Sequence, residues 1–226
     1  MSEFITTGEG SGGRLTAQLI SDIITRFGTS NGQADSCEDC TFISGTLAVT
    51  TDGFTVSPRF FPGGDMGHLS IAGSTNDLAV RGVRPEWLAM GMIIEEGLPR
   101  EELFRLVESA SAECRALGIT LAAGDTKVVP HGAAEGVFFN VTAIGHSVTK
   151  TPLGMNRLKA GDSLILTTTP GRHGSVIAAL RYGLDLGGLE SDCAALWPLL
   201  EPILLIDGLH CMRDCTRGGL GTVLCE

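Results

Sequence analysis

The sequence contains no long hydrophobic run, no excess of positive charge and no dense set of cysteines. No apolar stretch approaches the roughly 20 residues that a membrane span requires, and residues 1–4 lack the basic start of a signal peptide. Sixteen basic against 26 acidic residues give a formal net charge of -10, which leaves no broad basic face for nucleic acid. We expect a cytoplasmic protein with no nucleic-acid partner and no membrane partner.

The cysteines are scattered along the chain. All seven lie between Cys37 and Cys225, without the density of a secreted disulfide scaffold, so reduced thiols are expected. Cys37-Glu38-Asp39-Cys40 has the spacing of half a metal or redox site, and Cys211 and Cys215 could add ligands if the fold brought them near. No second pair follows at a suitable spacing, which favours an acidic loop over a metal centre.

Glycine is the residue in excess. Its 31 occurrences are about twice the usual frequency, and many gather at residues 8–13, 63–64 and 218–219. Such clusters predict shaped loops. With 226 residues, 43% of them hydrophobic, the chain can bury a sizeable core in one large domain or two small ones.

The spacing of hydrophobic residues predicts alternating helices and strands in the first 150 residues. Helices are predicted at residues 14–27, 66–80 and 99–117, and strands at residues 46–51, 87–94, 119–123 and 137–144. The glycine loop therefore precedes a helix, Asp52 and Gly124-Asp125 follow strands, and Asn76-Asp77 lies in the later turns of a helix. The ends of strands and helices are where binding sites commonly form.

A change of pattern near residues 149–161, which include Pro152 and Gly161, predicts a domain boundary. We expect domains at residues 1–150 and 151–226. The second would begin with a strand at residues 163–168, a helix at residues 174–182 and another helix beginning near Ser191. That domain is expected to be incomplete, because its strand has no partner in the residues that follow.

Three aspartates carry the predicted chemistry. Asp52, Asp77 and Asp125 each stand beside a Gly, Asn or Thr that lets the backbone approach a ligand. Mg²⁺ takes one or two carboxylates together with phosphate oxygens, and Lys127 can supply positive charge to a phosphate. The set predicts a magnesium-nucleotide site. The competing interpretation is that each aspartate is an ordinary turn or capping residue.

The glycine loop Gly10-Ser11-Gly12-Gly13 offers free backbone amides ahead of a helix, which suits a phosphate. Its pattern is neither a Walker loop nor a dinucleotide fingerprint. The alternative is a flexible N-terminal tail with a helix cap. Taken alone, the segment does not decide between them.

Five motifs occur in one order along the chain: Gly10-Ser11-Gly12-Gly13-Arg14, Phe61-Pro62-Gly63-Gly64-Asp65, Thr75-Asn76-Asp77-Leu78-Ala79, Gly124-Asp125-Thr126-Lys127-Val128-Val129 and Arg213-Asp214-Cys215-Thr216-Arg217-Gly218-Gly219-Leu220. Together they closely resemble the hydrogenase maturation factors of the HypE family, within the superfamily of aminoimidazole ribonucleotide synthetase. The resemblance covers essentially the whole chain.

The resemblance implies an α/β (α+β) fold of the PurM-like two-domain type. Its N-terminal ATP-binding domain would hold a dimer-forming sheet, and the second α/β domain would be incomplete. The implied assembly is a homodimer across which ATP binds. The implied partners are the carbamoyltransferase HypF and a HypC-HypD complex that receives the cyanide.

The activity implied by the resemblance is carbamoyl dehydration. ATP would be used to dehydrate a thiocarboxamide on a C-terminal cysteine, giving the thiocyanate that becomes the iron-bound cyanide of nickel-iron hydrogenases. The motif positions imply that Asp77 and Lys127 are catalytic and that Asp52, Asp77 and Asp125 hold Mg²⁺. The positions implied to bind ATP are Gly10, Ser11, Gly12, Gly13, Asn76 and Thr126.

The chain departs from the family at its end. The family's tail carries Pro-Arg-x-Cys, whereas this sequence stops at Cys225-Glu226, so we expect the substrate-bearing cysteine to be missing and interpret Cys225 as a helical packing residue. Thiamine-monophosphate kinase and selenophosphate synthetase are alternatives within the superfamily; the second expects a reactive Cys or selenocysteine where this chain has Gly12-Gly13-Arg14. An alternative of another class is a non-catalytic fragment that binds ATP or a maturation partner.

Overall fold

The computed structural model describes residues 4–27, 39–150 and 153–226 of the chain. The α-helices of this part are α1 (Gly13–Phe27), α2 (Met66–Ala79), α3 (Arg100–Leu117), α4 (Arg172–Tyr182), α5 (Trp197–Ile203) and α6 (Gly219–Cys225). The strands are β1 (Thr41–Ser44), β2 (Leu47–Phe54), β3 (Phe60–Phe61), β4 (Gly64–Asp65), β5 (Val83–Glu95), β6 (Thr120–Val129) and β7 (Val137–Ser147). Short 3-10 helices occupy Thr7–Gly10 and Met155–Arg157.

The main sheet has the strand order β1-β2-β7-β5-β6, and β3 and β4 form a separate small hairpin. β5 and β6 are parallel and connected through α3, whereas the other neighbours in the main sheet are antiparallel. The core lies between the strands and helices α2 and α3. Leu88 of β5, Leu106 of α3 and Phe139 of β7 are almost completely buried in it.

Helix α2 lies close to both the sheet and α3. It begins where the Asp65 carboxylate accepts a hydrogen bond of 3.0 Å from the backbone N–H of His68. Near this end Gly67 packs so tightly on α3 that a Cβ atom there would overlap the carbonyl oxygen of Leu106. The other end of α2 crosses β2, so Asp77 comes to lie above that strand.

Alternation along the strands separates the two faces of the main sheet. Thr50 and Asp52 of β2 pair in register with Ala143 and Val141 of β7, and Val141 pairs with Met90 of β5. Paired residues point to the same side, so these side chains share the face covered by α2 and α3, which we call the helix face. The opposite face, which we call the bare face, carries exposed residues including Thr51, Ile93, Asp125, Lys127 and Asn140.

Residues 153–226 pack on the first part of the chain through small apolar clusters. Val176 of α4 belongs to one cluster with Phe61, and Trp197 of α5 belongs to another with Val80. Many other apolar side chains in this region lie on the surface. The boundary predicted between residues 150 and 151 stays a prediction.

The predicted helices correspond to α1, α2, α3 and α4. Gly118 and Gly183, at φ 69° and 65°, end α3 and α4 directly after the predicted ranges 99–117 and 174–182. The other predicted helix begins at Trp197 rather than near Ser191, because the Ser191 hydroxyl instead accepts from the Cys193 amide and bonds the ring of His173.

Two strand predictions need correction. Residues 163–168 do not form a strand, and Leu164 and Ile165 are 76% and 85% exposed, because no segment among the described residues pairs with them. β6 continues to Val129, so Asp125 lies within a strand rather than after one. β2 likewise continues past Asp52 to Phe54.

Two further predictions concern loops and ends. The loop that includes Cys37 and Glu38 lies largely outside the described residues. Cys225 is exposed in α6, a helix with no buried residue, so its interpretation as a packing residue is wrong. Among the helices of the described ranges, none has both the length and the apolar character needed to cross a bilayer.

Candidate active site

Carboxylates from separate parts of the chain converge on the helix face. Single oxygens of Asp39, Asp77 and Asp214 all lie within 4.8 Å of one another. Asp39 precedes β1, Asp77 lies in α2, and Asp214 lies before α6. Asp52 of β2 lies close enough to Asp77 to raise the pKa of that carboxyl group, and we call these four aspartates the carboxylate cluster.

The sheet positions the first part of this cluster. Thr50 and Asp52 are two residues apart on β2, so both side chains point toward α2. The Thr50 hydroxyl donates a hydrogen bond of 2.9 Å to Oδ2 of Asp77. A short alternating stretch of strand therefore supplies one carboxylate and orients a second.

Burial and mutual repulsion raise the pKa values of three of these carboxyl groups. The pKa of Asp77 is raised to about 10, first by burial and then by the charges of Asp214 and Asp52. The pKa of Asp39 is raised to about 7 and that of Asp214 to about 6, again chiefly by burial. A cation held among them would favour the ionised forms and lower these pKa values.

The carboxylate cluster fits a hard divalent cation such as Mg²⁺. All its ligand atoms are carboxylate oxygens, the donors that Mg²⁺ prefers. Oδ2 of Asp214 is buried and receives no hydrogen bond within the described part of the chain. A buried carboxylate oxygen in that state is costly unless a ligand satisfies it.

Two arginines contact the cluster in different ways. Nε of Arg213 lies 3.0 Å from Oδ2 of Asp39, and its Nη2 lies 2.7 Å from Oε2 of Glu226. Nη2 of Arg217 lies 3.8 Å from Oδ1 of Asp52. Arg213 is mostly buried between its two acidic partners, whereas the Arg217 side chain reaches the cluster from the surface.

The glycine loop lies beside the cluster. Gly12, at φ +86°, is so close to residue 217 that an added Cβ would come within 3.1 Å of the Arg217 carbonyl oxygen. Its backbone N–H donates to the Thr16 hydroxyl at 2.9 Å. The loop therefore contacts the segment whose Arg217 side chain reaches Asp52. The predicted contacts of Gly10, Ser11, Gly12 and Gly13 with phosphate stay predictions.

Asn76 joins two parts of the chain. Its side-chain amide donates to the carbonyl of Ala194 at 3.0 Å and accepts from the backbone N–H of Leu196 at 2.7 Å. Both ends of the amide are therefore engaged with residues 194–196. The contact of Asn76 with the nucleotide stays a prediction. In the structure its amide connects α2 to residues 194–196.

Asp125, Thr126 and Lys127 do not join the carboxylate cluster within one chain. β6 is three strands from β2 in the sheet order, which corresponds to about 14 Å. The residues aligned across the sheet with Asp52 are Val141, Met90 and Gly124. Asp125 is one position further along β6 and pairs with Gly91. Asp125 and Lys127 therefore point to the bare face. Their predicted roles in metal binding and catalysis stay predictions.

Sequence reasoning missed two members of the cluster, Asp39 and Asp214. Asp39 was treated as part of a cysteine-spaced loop, and Asp214 only as part of a family motif. The available signal for Asp214 was its motif, in which Arg213 and Asp214 stand shortly before the glycine pair Gly218-Gly219 of a shaped loop. The thiol of Cys40 is buried and its pKa is raised to about 12, which disfavours a thiolate ligand next to Asp39.

Comparison with known proteins identifies the class. The sequence matches AIR synthase related protein, N-terminal domain, over residues 37–147 and AIR synthase related protein, C-terminal domain, over residues 159–226. Fold and sequence together define an AIR synthase related protein with the PurM-like fold, as predicted.

Within that class the relatives are specific. Carbamoyl dehydratase HypE of Azotobacter vinelandii is 40% identical over 222 residues, covering 96% of this chain and 65% of that protein. A crystal structure of a HypE-HypF complex matches with a TM-score of 0.86 at 36% identity, covering 91% of this chain and 68% of that one. The hydrogenase maturation protein HypE in complex with ATP matches with a TM-score of 0.77 at 40% identity, covering 95% and 65%.

The chain belongs to the HypE family of hydrogenase maturation proteins. The resemblance predicted from the five motifs is thereby confirmed. The chain spans about two thirds of the length of these relatives, 65 to 68%.

Proposed function

We propose that this chain forms the Mg-ATP site of a carbamoyl dehydratase, which converts a cysteine thiocarboxamide into a thiocyanate for the cyanide ligands of nickel-iron hydrogenases. The observation that carries the proposal is the carboxylate cluster beside the glycine loop. A relative's complex with ATP supports it. In this proposal the thiocarboxamide is carried by a cysteine outside these 226 residues.

The residues of the site take complementary roles. Asp39, Asp52, Asp77 and Asp214 would hold Mg²⁺, and the glycine loop at residues 10–13 would lie against the phosphates. The bound ion supplies charge neutralisation to the triphosphate. The ion would also favour the ionised forms of Asp39, Asp77 and Asp214, whose pKa values are raised without it.

The chemistry must convert a poor leaving group into a good one. The γ-phosphoryl group of ATP passes to the carboxamide oxygen as its bond to ADP breaks. The C–O bond then breaks and phosphate departs, and the nitrogen loses its two protons as the carbon-nitrogen triple bond forms, one to the released phosphate and one to solvent. Thiocarboxamide and ATP are thus converted into thiocyanate, ADP and phosphate. We assign Lys127 to stabilising the transferring phosphoryl group, with Asp77 as the other catalytic residue.

We further propose that the site is shared between two copies in a homodimer. Asp125 and Lys127 of one copy would serve the carboxylate cluster of the other. Two observations support this arrangement. The bare face exposes Ile93 at 45%. Among the described strands β6 has one neighbour and lies at the edge of the sheet, so its outer backbone groups are available for pairing.

The proposed partners come from the relatives. One matched structure is a HypE-HypF complex, which supports HypF as a partner. That HypF is the carbamoyltransferase that loads the cysteine rests on the family resemblance. A HypC-HypD complex as the acceptor of cyanide rests on the family resemblance alone. A cytoplasmic location rests on the composition of the chain.

Two measurements test the proposal. Calorimetry with ATP, with and without Mg²⁺, is expected to give binding that depends on Mg²⁺. Incubation with Mg-ATP and a synthetic peptide ending in Pro-Arg-x-Cys, its thiol carrying the carboxamide, is expected to remove the mass of one water from the peptide. Binding without conversion would favour the alternative of a non-catalytic ATP-binding fragment, and absence of ATP binding would contradict both.

A further inference from the structure

The segment before α6 lies directly against the glycine loop. A Cβ atom added at Gly12 would come within 3.1 Å of the Arg217 carbonyl oxygen and 3.4 Å of the Gly218 nitrogen. Gly12 and Gly218 both have positive φ, at +86° and +79°, where other residues are strained. The two loops therefore meet backbone to backbone, which holds Arg217 beside the loop that would face the phosphates.

The side chain of Arg217 extends from this contact to the carboxylate cluster. Its Nη2 lies 3.8 Å from Oδ1 of Asp52, which is too long for a hydrogen bond. The side chain is 68% exposed, against 22% for Asp52. Such a loose, exposed ion pair contributes little to stability, so the guanidinium can exchange Asp52 for another anion at small cost.

Two other cations of the proposed site, Arg213 and Lys127, are placed differently. Arg213 is only 14% exposed and lies between Asp39 and Glu226. Lys127 points to the bare face. Of these three cations, Arg217 is the one that stands between the glycine loop and the carboxylate cluster of the same chain.

We propose that Arg217 binds the phosphate chain of Mg-ATP and makes affinity depend on the number of phosphates. When Asp52 turns to the metal ion, Arg217 exchanges it for phosphate oxygens, to which a guanidinium donates two parallel hydrogen bonds. The inference rests on the proposed function, since it requires Mg-ATP at the carboxylate cluster. It gives a role to a residue of the motif at 213–220 that the metal ligands leave unused.

The test compares nucleotides that differ only in phosphate number. Mg-ATP, Mg-ADP and AMP are titrated calorimetrically into the wild-type chain, Arg217→Ala, Arg217→Lys and the control Arg84→Ala, which removes an exposed arginine of β5. Arg217→Ala is expected to weaken Mg-ATP about 10- to 100-fold, the loss expected for a charge-assisted hydrogen bond, while AMP affinity is unchanged. Arg217→Lys is expected to fall between, and Arg84→Ala to match wild type.

Each outcome decides one proposal. Thermal unfolding of Arg217→Ala should match wild type, because the side chain is mostly exposed. If the wild type binds Mg-ATP and Arg217→Ala binds it equally well, the role of Arg217 is overturned while the proposed function stands. An equal loss of affinity for Mg-ATP and for AMP would also overturn it, because a general structural effect would weaken the binding of both nucleotides alike. If the wild type fails to bind Mg-ATP, the proposed function itself falls.

Discussion

The two faces of the main sheet are built from alternate residues of the same strands, yet one face is covered by helices and the other is exposed. The helix face packs against α2 and α3 and brings Asp52 next to Asp77. The bare face exposes Ile93, Asp125 and Lys127. Residues of one family motif set are thus divided between opposite sides of the sheet, and the proposed homodimer would bring the two sides together.

The largest effect is expected from removing the charge of Asp77 on the helix face. Asp77→Asn keeps an acceptor for Thr50 but weakens metal binding, and metal neutralisation is worth several kcal/mol in phosphoryl transfer, so peptide conversion should fall about a thousandfold. Turnover is measured by mass spectrometry at saturating Mg-ATP. The matched control is Asp207→Asn, an exposed aspartate away from the cluster, and wild-type turnover in Asp77→Asn would contradict the assignment.

A mixing experiment tests whether the bare face of one copy completes the helix face of another. Lys127→Ala alone should lower turnover about a hundredfold by removing charge from the phosphoryl group. In an equal mixture with Asp77→Asn, half of the dimers are mixed and each has one intact site, so about a quarter of wild-type activity should return. If each chain completes its own site, no activity returns.

The packing of the helix face can be disturbed without touching the bare face. In Gly67→Ala the new methyl group meets the Leu106 carbonyl oxygen, so α2 must move and the free energy of unfolding should fall by about 3 kcal/mol. Urea unfolding gives this value. The control Gly174→Ala adds a methyl group in α4 with no atom within 4 Å and should raise stability by about 0.5 kcal/mol. Equal changes in both variants would contradict the packing argument.

The bare face can be charged without touching the core. Ile93→Lys places an ammonium on the surface that a second copy would cover, so the dimer dissociation constant should rise about tenfold. Sedimentation across a concentration series measures it. Phe104→Lys, at a 52% exposed position of α3, is the control and should leave assembly unchanged. A dimer indifferent to Ile93→Lys would exclude this face as the interface.

The smallest effect is a pH dependence of stabilisation by Mg²⁺. The pKa of Asp39 is raised from 3.8 to about 7 and that of Asp214 to about 6. The folded state therefore holds protons that the unfolded state loses, and metal-free stability falls as pH rises through this window. Mg²⁺ favours the ionised forms, so its increase in Tm should be a few degrees larger at about pH 7.5 than at about pH 5.5. Sodium chloride of equal ionic strength is the control, and equal shifts at both pH values would contradict the assignment.

The helices within residues 1–150 were predictable because neighbouring residues in the sequence determine where each helix begins and ends. Glu101 and Glu102 open α3, and Gly118 closes it with a left-handed residue. The strand predicted at residues 163–168 does not form, although Leu164, Ile165 and Leu166 give this segment the apolar pattern of a buried strand. A strand forms only with a neighbour to pair with, and local sequence does not say whether one is present.

The sequence motifs pointed to part of the carboxylate cluster. Asp52, Asp77 and Asp125 were predicted as ligands of one ion; the structure places Asp52 near Asp77 but Asp125 on another strand, and metal binding by all three stays a prediction. Asp39 and Asp214 are far apart in the sequence and meet only through the tertiary fold. The direction of Asp125 depends on strand register, where a shift of one residue moves a side chain to the other face.

The amide of Asn76 ties the helix that carries Asp77 to residues 194–196. In the proposed function, a nucleotide bound beside Asp77 would be coupled to these two hydrogen bonds of Asn76. Linkage is reciprocal: by whatever factor a nucleotide strengthens these bonds, anything that strengthens them raises nucleotide affinity. A protein that docks on residues 191–196 would sense whether the nucleotide is bound without touching it.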